Sequence, residues 1–466
     1  MRGDLDDAFL RLTRSPVATG QQLNRSPGPA LVIALVALAA FGFYAAVILG
    51  QVDRLLAPAY DQAFFEELVW NLGHGGGFFT GFTSGSFLGL HFEPLLIVPA
   101  VLELGWPDER LLTILNALGL AAAAPAGYLL ARQLLPERPW LAVALAGPLP
   151  AWAAMQQAGL SDFHPEVLAL PVALLAGWAG IRGRSVLCCC LALVALAAKE
   201  DQAYTVLVVG VLIAASGRRR LGLLLAGGAL LWGLVVVGLV MPAIRAGTQS
   251  DVASYYTWLA TANPGEVTRA LIHPGGWLAF AGLVIGMSGL PLLRARWLMP
   301  AFPPLLADLL SSHPTQSDLR LHYGLLLVLP IFAAGLMGAR RLEGRSRLPA
   351  LALAVPALLL AVIATPFVVP VEKPALVRLR ACTRQLPPAA SVAADDPVSA
   401  PLAARHLLAP TAGALPAEYV VVDRVGREPS YVDRSGRART IAGLPSGGRR
   451  LLCDDGRFQL WSPIDP

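Results

Sequence analysis

Charge is the scarcest commodity in this sequence. Asp, Glu, Lys and Arg together make up 14% of it, against about a quarter in a soluble globular protein, so a water-soluble chain is excluded. The net charge of +5 forms no basic face, because the arginines lie in short clusters between apolar runs; nucleic acid is thereby excluded as a partner, and membrane topology explains the clusters. Nucleotide-binding glycine spacing and H-E-x-x-H metal spacing are both missing, as are repeats and low-complexity tracts. The first apolar run, about residues 30–50, has no A-x-A cleavage site after it and reads as a retained helix. Cysteine is sparse too, five in 466 residues, with no spacing that argues a framework. Cys188, Cys189 and Cys190 fall inside an apolar run as packing residues. Cys382 and Cys453 stand in the polar tail, where they could pair in an oxidising compartment.

What the chain has in abundance is apolar sequence, 55% of it, in runs near the roughly twenty residues that cross a bilayer. Eleven spans are expected, at about 30–50, 111–131, 139–158, 166–181, 185–198, 202–216, 221–241, 274–293, 297–311, 322–339 and 348–371. Several are short for a full crossing and must thin the bilayer or enter a protein-lined cavity. Alternating sides through these spans puts seventeen arginines on one face: Arg2, Arg11, Arg14, Arg25, Arg132, Arg138, Arg182, Arg184, Arg218, Arg219, Arg220, Arg294, Arg296, Arg340, Arg341, Arg345 and Arg347. The opposite membrane loops carry six cations, Arg54, Arg110, Lys199, Arg245, Arg269 and Arg320. The positive-inside rule then makes residues 1–29 a cytoplasmic tail and 30–371 the transmembrane domain, with a long first outer loop at 51–110. A single long helix through Lys199–Asp201 would reverse everything downstream, so a hairpin is expected there.

With that orientation, all seven histidines fall on the outer face, as do Asp61, Glu66, Glu67, Glu93, Asp162, Glu166, Glu200, Asp201 and Asp318. Asp61 sits in the first turn of a segment with apolar residues at Phe64, Phe65, Leu68, Val69 and Leu72, the stripe of a helix lying along the membrane interface. The Gly75–Gly77 run and "TGFTSGS" after it supply a flexible stretch that could reshape around a ligand. "HFEP" and "DFHPE" share a construction: His91 and Glu93, and likewise Asp162 and His164, are two apart, and a proline then opens a helix. Glu166 lies in the first turn of the second of these helices. Such groups at the positive end of a helix suit an anionic ligand or a divalent ion, and Asp61, His91, Asp162 and His164 are the residues that could ligate a metal. No metal or other cofactor is required by any motif. Lys199 could pair with Asp162 or Glu166, or attract a phosphate. Arg320 offers a forked cation for the same purpose, with His322 and Tyr323 beside it.

The tail, 372–466, changes character. "ASVAAD", "AEYVVVDR" and the D-G-turned "RRLLCDDGRFQLW" read as short strands, and "PVSAPLAARHLL" as a helix starting at Pro397. A small extracytoplasmic α/β domain is expected. The acidic pair in "ADDP" matches sugar-nucleotide motifs only superficially.

In their order, "YDQAFFEELVWNLG", "HFEP", "DFHPE", "KED" and His322–Tyr323, with "LPPAASVAAD" in the tail, resemble the bacterial membrane proteins of domain-of-unknown-function family 2079. The resemblance runs over about residues 30–460. It implies an all-α polytopic bundle of about eleven helices, similar to the glycosyltransferase C fold, in a bacterial inner membrane. In that fold the acid opening the first outer loop, here Asp61, is the general base for inverting transfer from a polyprenyl-phosphate sugar to a lipid, glycan or protein acceptor. Under that implication His91, Glu93, Asp162, His164, Glu166, Glu200 and Asp201 would position the acceptor or a divalent ion, and Lys199, Arg320, His322 and Tyr323 would hold the lipid phosphate. Two other classes compete: a membrane transporter or flippase, which wants polar groups in interrupted helices, and a non-catalytic envelope scaffold of the same fold.

Overall fold

A computed structural model describes residues 27–57, 59–108, 110–160, 163–245, 251–342, 353–364, 374–412, 417–426 and 433–463. The chain is mostly helical, with one five-stranded sheet near its carboxyl end. Its packing falls into two compact units, Met1–Phe43 with Ala117–Pro366 and Tyr44–Asn116 with Phe367–Pro466. The first long loop therefore packs with the tail, a grouping that a division at residue 371 does not contain.

The bundle unit is built from apolar helices of very unequal length. Among the described residues three helices are long and apolar enough to cross a membrane: Pro27–Asp53, Leu111–Leu134 and Arg219–Arg245. The other expected spans are shorter or broken. The run at 139–158 splits into Pro139–Ala146, a tight turn at Leu149–Ala151 and Ala153–Leu160, because Pro148 and Pro150 remove backbone donors in succession. Helix Pro274–Gly286 ends where Ser288 and Gly289 both turn left-handed. The hairpin expected around Lys199–Asp201 is present as helices Ser185–Leu196 and Gln202–Ala215. Helix Gln202–Ala215 meets helix Arg219–Val235 backbone to backbone: a Cβ on Gly210 would lie 2.6 Å from the Ala226 nitrogen and 2.7 Å from the Gly222 oxygen. Small residues at such crossings let helices approach in an apolar solvent. The far side of the long helix is left bare, with only 11% of its most apolar window buried.

The loop–tail unit has one core to which both of its segments contribute. Val52 and Ala63 from the loop pack with Leu379, Val392, Leu408 and Phe458 from the tail. The sheet comprises β1 (Val392–Ala394), β2 (Leu408–Pro410), β3 (Tyr419–Asp423), β4 (Arg449–Asp454) and β5 (Phe458–Pro463), in the order β2-β1-β3-β5-β4. β1 lies parallel to β2 and β3, while β5 is antiparallel to β3 and β4. The D-G hairpin forms as expected, with Gly456 left-handed at φ 88°. The helix expected from Pro397 is instead one turn, Asp396–Ser399, followed by Ala400–Leu402 in tighter turns; the remainder of that segment supplies β2. Cys382 and Cys453 are disulfide-bonded, joining helix Pro374–Cys382 to β4.

Two expectations about the first loop need correction. Helix Phe64–Gly73 does not lie bare along an interface: Phe64, Phe65, Leu68 and Val69 are buried, and so are Glu66, Glu67 and Asn71. Glu67 faces tail backbone through the Leu408 N–H, Glu66 takes a hydrogen bond from Gln62, and Phe64 and Phe65 pack edge-on against Phe87. The exposed apolar helix is the next one, Ile97–Gly105, whose Ile97, Val98, Val101 and Leu104 are all more than half exposed while Pro99, Ala100 and Glu103 are buried. The glycine-rich stretch is also anchored. Asn71 Nδ2 donates to the Phe79 carbonyl, and Gly81 approaches the Leu408 carbonyl so closely that no Cβ could fit.

Candidate functional site

The loop–tail unit holds Asp61, His91 and Glu93. Asp61 lies in the π-helical turn Ala59–Ala63 that runs directly into helix Phe64–Gly73, and is half-buried. Such wide turns occur disproportionately at functional positions. One residue on, Gln62 Nε2 donates to Glu66 Oε1 at 2.5 Å. His91 is half-buried with its ring 5.9 Å from that of Phe87, and Glu93 is buried. The backbone of Glu93 (φ −120°, ψ 58°) is non-helical, as the following Pro94 requires, and the helical turn Pro94–Leu96 starts there.

Glu67 is the unit's most constrained carboxylate and was no site candidate on sequence. Fully buried, it accepts from the Thr80 hydroxyl at 2.7 Å, the Gly81 N–H at 3.0 Å and the Leu408 N–H at 2.6 Å. Burial pushes its carboxyl up to about 7, against the opposing pull of those donors and of Arg405. The Arg405 guanidinium is itself lowered to about 10 by burial. Beside them, His406 Nδ1 and Asn71 Oδ1 are 2.9 Å apart. In the sheet, Asp395 is held by Arg437 at 2.8 and 2.6 Å, and Asp423 by Arg457 at 2.8 Å. Asp395 of "ADDP" is thus a buried structural ion-pair partner.

The bundle unit brings together residues from four separate segments. Pro165 starts helix Glu166–Ile181 as the sequence predicts, leaving His164 and Glu166 buried at its positive end. Lys199, in the turn of the helical hairpin, meets Glu166 Oε1 at 2.5 Å, with Asp201 Oδ2 at 3.9 Å. Gln202 Nε2 donates to Asp201 Oδ1 at 2.9 Å. Asp308, from helix Phe302–Leu309, lies within electrostatic reach of both Lys199 and Asp201 and accepts from Gln316 Nε2 at 2.9 Å. Gln316 Nε2 also reaches the Tyr256 hydroxyl at 3.1 Å. Glu166 Oε2 and Asp308 Oδ2 are buried and take no hydrogen bond from the described residues.

Beside this charged group runs a file of rings. His164 stacks on His322 with centroids 3.8 Å apart, His322 lies 4.3 Å from Tyr323, and Tyr323 lies 6.2 Å from His313, which is 4.9 Å from Tyr255. Burial holds the His313 imidazole below its ordinary range. The sequence places His164 and His322 158 positions apart, and the fold makes them neighbours.

Arg320 stands apart from that group. It pairs with Asp318 Oδ2 at 3.2 Å, Asp318 Oδ1 is 2.7 Å from His273 Nε2, and the Arg320 side chain is two-thirds exposed. Leu319 and Leu321 on either side of it are both left-handed, at φ 55° and 57°. Each costs about 1–2 kcal/mol for an L-residue, and such outliers persist where the surrounding structure over-determines them. Both cations expected to hold a phosphate thus have carboxylate partners. Glu200 is half-buried in the hairpin turn, and Asp162 lies outside the described residues. Among the described residues no three His, Cys, Asp or Glu side chains form a group that could hold a metal ion.

Gln202, Gln316 and Tyr256 escape a sequence reading because nothing local marks them. Asp308 carried the one usable signal, a lone acid in the apolar run "FPPLLADLL".

Comparison with curated proteins finds no match. A family model described as predicted membrane protein, DUF2079, covers residues 51–432, from the end of the first long apolar helix to beyond the third strand of the tail. That span takes in the loop with Asp61, the buried Lys199–Glu166 group and the ring file, and the chain belongs to this family of predicted membrane proteins.

Proposed function

We propose that the protein is a multi-pass glycosyltransferase of a bacterial inner membrane, with about eleven membrane segments in the manner of the glycosyltransferase C fold. The amino end is cytoplasmic and the tail extracytoplasmic. The excess of arginine on one set of loops supports that orientation, as does the disulfide within the tail, since such bonds persist outside the reducing cytosol.

Asp61 is the general base. It takes the proton from an acceptor hydroxyl, whose oxygen attacks the anomeric carbon of a polyprenyl-phosphate sugar. The bond to phosphate breaks with inversion, and the polyprenyl phosphate departs. His91 and Glu93 position the acceptor within the same unit. The observation that carries the reading is the placement of Asp61: a half-buried acid in a π-helical turn, opening a loop in which Glu67 is held by buried hydrogen bonds. The test is turnover of radiolabelled polyprenyl-phosphate sugar in membranes. Asp61→Asn should lower the rate by about 10²–10⁴-fold, and donor consumed equally by both proteins removes Asp61 from the chemistry.

One observation favours transport instead. Glu166, Lys199, Asp201 and Asp308 gather where short, interrupted helices begin and end, an arrangement that suits a coupled-ion pathway. Gradient-dependent solute uptake into proteoliposomes, abolished in Asp308→Asn and retained in Asp61→Asn, would select that reading.

A further inference from the structure

The bundle unit contains a second polar concentration, of one sign only. Helix Leu325–Arg341 runs backbone to backbone against the segment Leu290–Ala301: a Cβ on Gly338 would collide with the Leu290 carbonyl. Three residues beyond Gly338, Arg341 Nη1 donates to the Leu293 carbonyl at 2.9 Å. That carbonyl precedes a break in the Leu290–Ala301 turns, where Arg294 leaves helical geometry at φ −137°, ψ 57°. The break brings Arg294 and Arg296 to the end of the helix that carries Arg340 and Arg341.

Arg296, Arg340 and Arg341, from two elements, thus lie within electrostatic reach of Arg294, and among the described residues no carboxylate pairs with any of the four. Arg294 is half-buried and held below the ordinary arginine range, first by burial and then by Arg296, Arg341 and Arg340. Topology accounts for arginines in a loop, since the positive-inside rule needs only their number near the span ends. It does not account for their convergence, which costs repulsion. Nor does the helix dipole, which Arg340 and Arg341 at the helix's negative end already complement. By contrast Arg182 and Arg184, in another arginine loop, lie over the Trp178 ring at 5.7 and 5.1 Å.

We propose that Arg294, Arg296, Arg340 and Arg341 form a binding site for a phosphate group, carried either by an anionic phospholipid headgroup or by a free phosphate. Forked guanidinium donors from two directions fit the several oxygens of one phosphate, and a phosphate supplies negative charge, which none of the described residues pairs with them.

The test uses the full-length protein in phosphatidylcholine nanodiscs, with phosphatidylglycerol added in one arm and inorganic phosphate in the other. Bound lipid is counted by native mass spectrometry, and the thermal midpoint is followed in both arms. The variant Arg296→Gln/Arg340→Gln leaves the Arg341–Leu293 hydrogen bond intact and should weaken binding about 30-fold, at about 1 kcal/mol for each lost cation. The control Arg182→Gln/Arg184→Gln should change it less than about threefold. Protection by phosphatidylglycerol alone assigns the headgroup, and protection by both probes assigns a general phosphate site. Binding that survives in the first variant, or falls equally in the control, overturns the proposal. Failure of both probes to bind the wild-type protein overturns it as well.

Discussion

Glu67 accepts three hydrogen bonds while fully excluded from water, two from Thr80 and Gly81 of its own loop and one from Leu408 of the tail. Its carboxyl is raised from 4.5 to about 7, so between those values the folded protein keeps a proton that the unfolded chain releases. A raised carboxyl contributes stability that is complete below about pH 4.5 and lost as the pH climbs through about 7. The thermal midpoint of the loop–tail unit should therefore fall over that window, by the equivalent of about 2–3 kcal/mol. Glu67→Gln should abolish the slope, and should also cost about 1–3 kcal/mol at low pH, because an amide nitrogen would confront a buried N–H donor. A slope of the same size in both proteins would show that another group controls it. Nothing near Glu67 in the sequence announces this. "FFEELVWNLG" reads as an amphipathic helix along the interface, and the partner that gives Glu67 its role, Leu408, is 341 residues away.

The helical elements show how much of the architecture follows from local rules. Proline and the residue before it set the start of helix Glu166–Ile181 and of the turn Pro94–Leu96, and both starts are legible in sequence. Helix ends and interruptions are less so, because apolar composition predicts partition into lipid and says little about continuity. The contact between helices Gln202–Ala215 and Arg219–Val235 depends on glycine for a spatial reason. A side chain at Gly222 would collide with the Ala214 nitrogen and the Gly210 carbonyl, whereas Gly227 has nothing within 4 Å. Gly222→Leu should force the helices apart and cost about 3 kcal/mol; Gly227→Leu, facing outward, should cost less than about 0.5 kcal/mol. Thermal melts of the two variants in one detergent decide the matter, and equal midpoints would count against close helix packing there.

Across the whole molecule, the Cys382–Cys453 bond closes a loop with a sequence separation of 71. Cross-links of this length typically contribute about 2–4 kcal/mol. Reductant should lower the wild-type thermal midpoint correspondingly and leave that of Cys382→Ser/Cys453→Ser unchanged. In intact cells neither thiol should take an impermeant maleimide until an impermeant reductant is added. Labelling without reduction would mean the bond does not form. Labelling that requires a permeant reductant and cell lysis would place the tail in the cytoplasm and reverse the proposed orientation.

Composition and periodicity were enough to establish a membrane protein, the positions of most apolar segments and the strand-rich tail with its D-G hairpin, while the family rested on the resemblance of a few ordered short motifs. Each of these depends on the burial preference of a residue or on backbone chemistry a few positions long, which a linear string records. Which charges meet was settled only by packing. Lys199 chose Glu166, Asp308 joined them from a segment with no motif, His164 found His322, and four loop arginines converged. A charge near hydrocarbon acquires its role from the nearest opposite charge or donor. That neighbour is fixed by how helices far apart in sequence come together, and no local pattern encodes it.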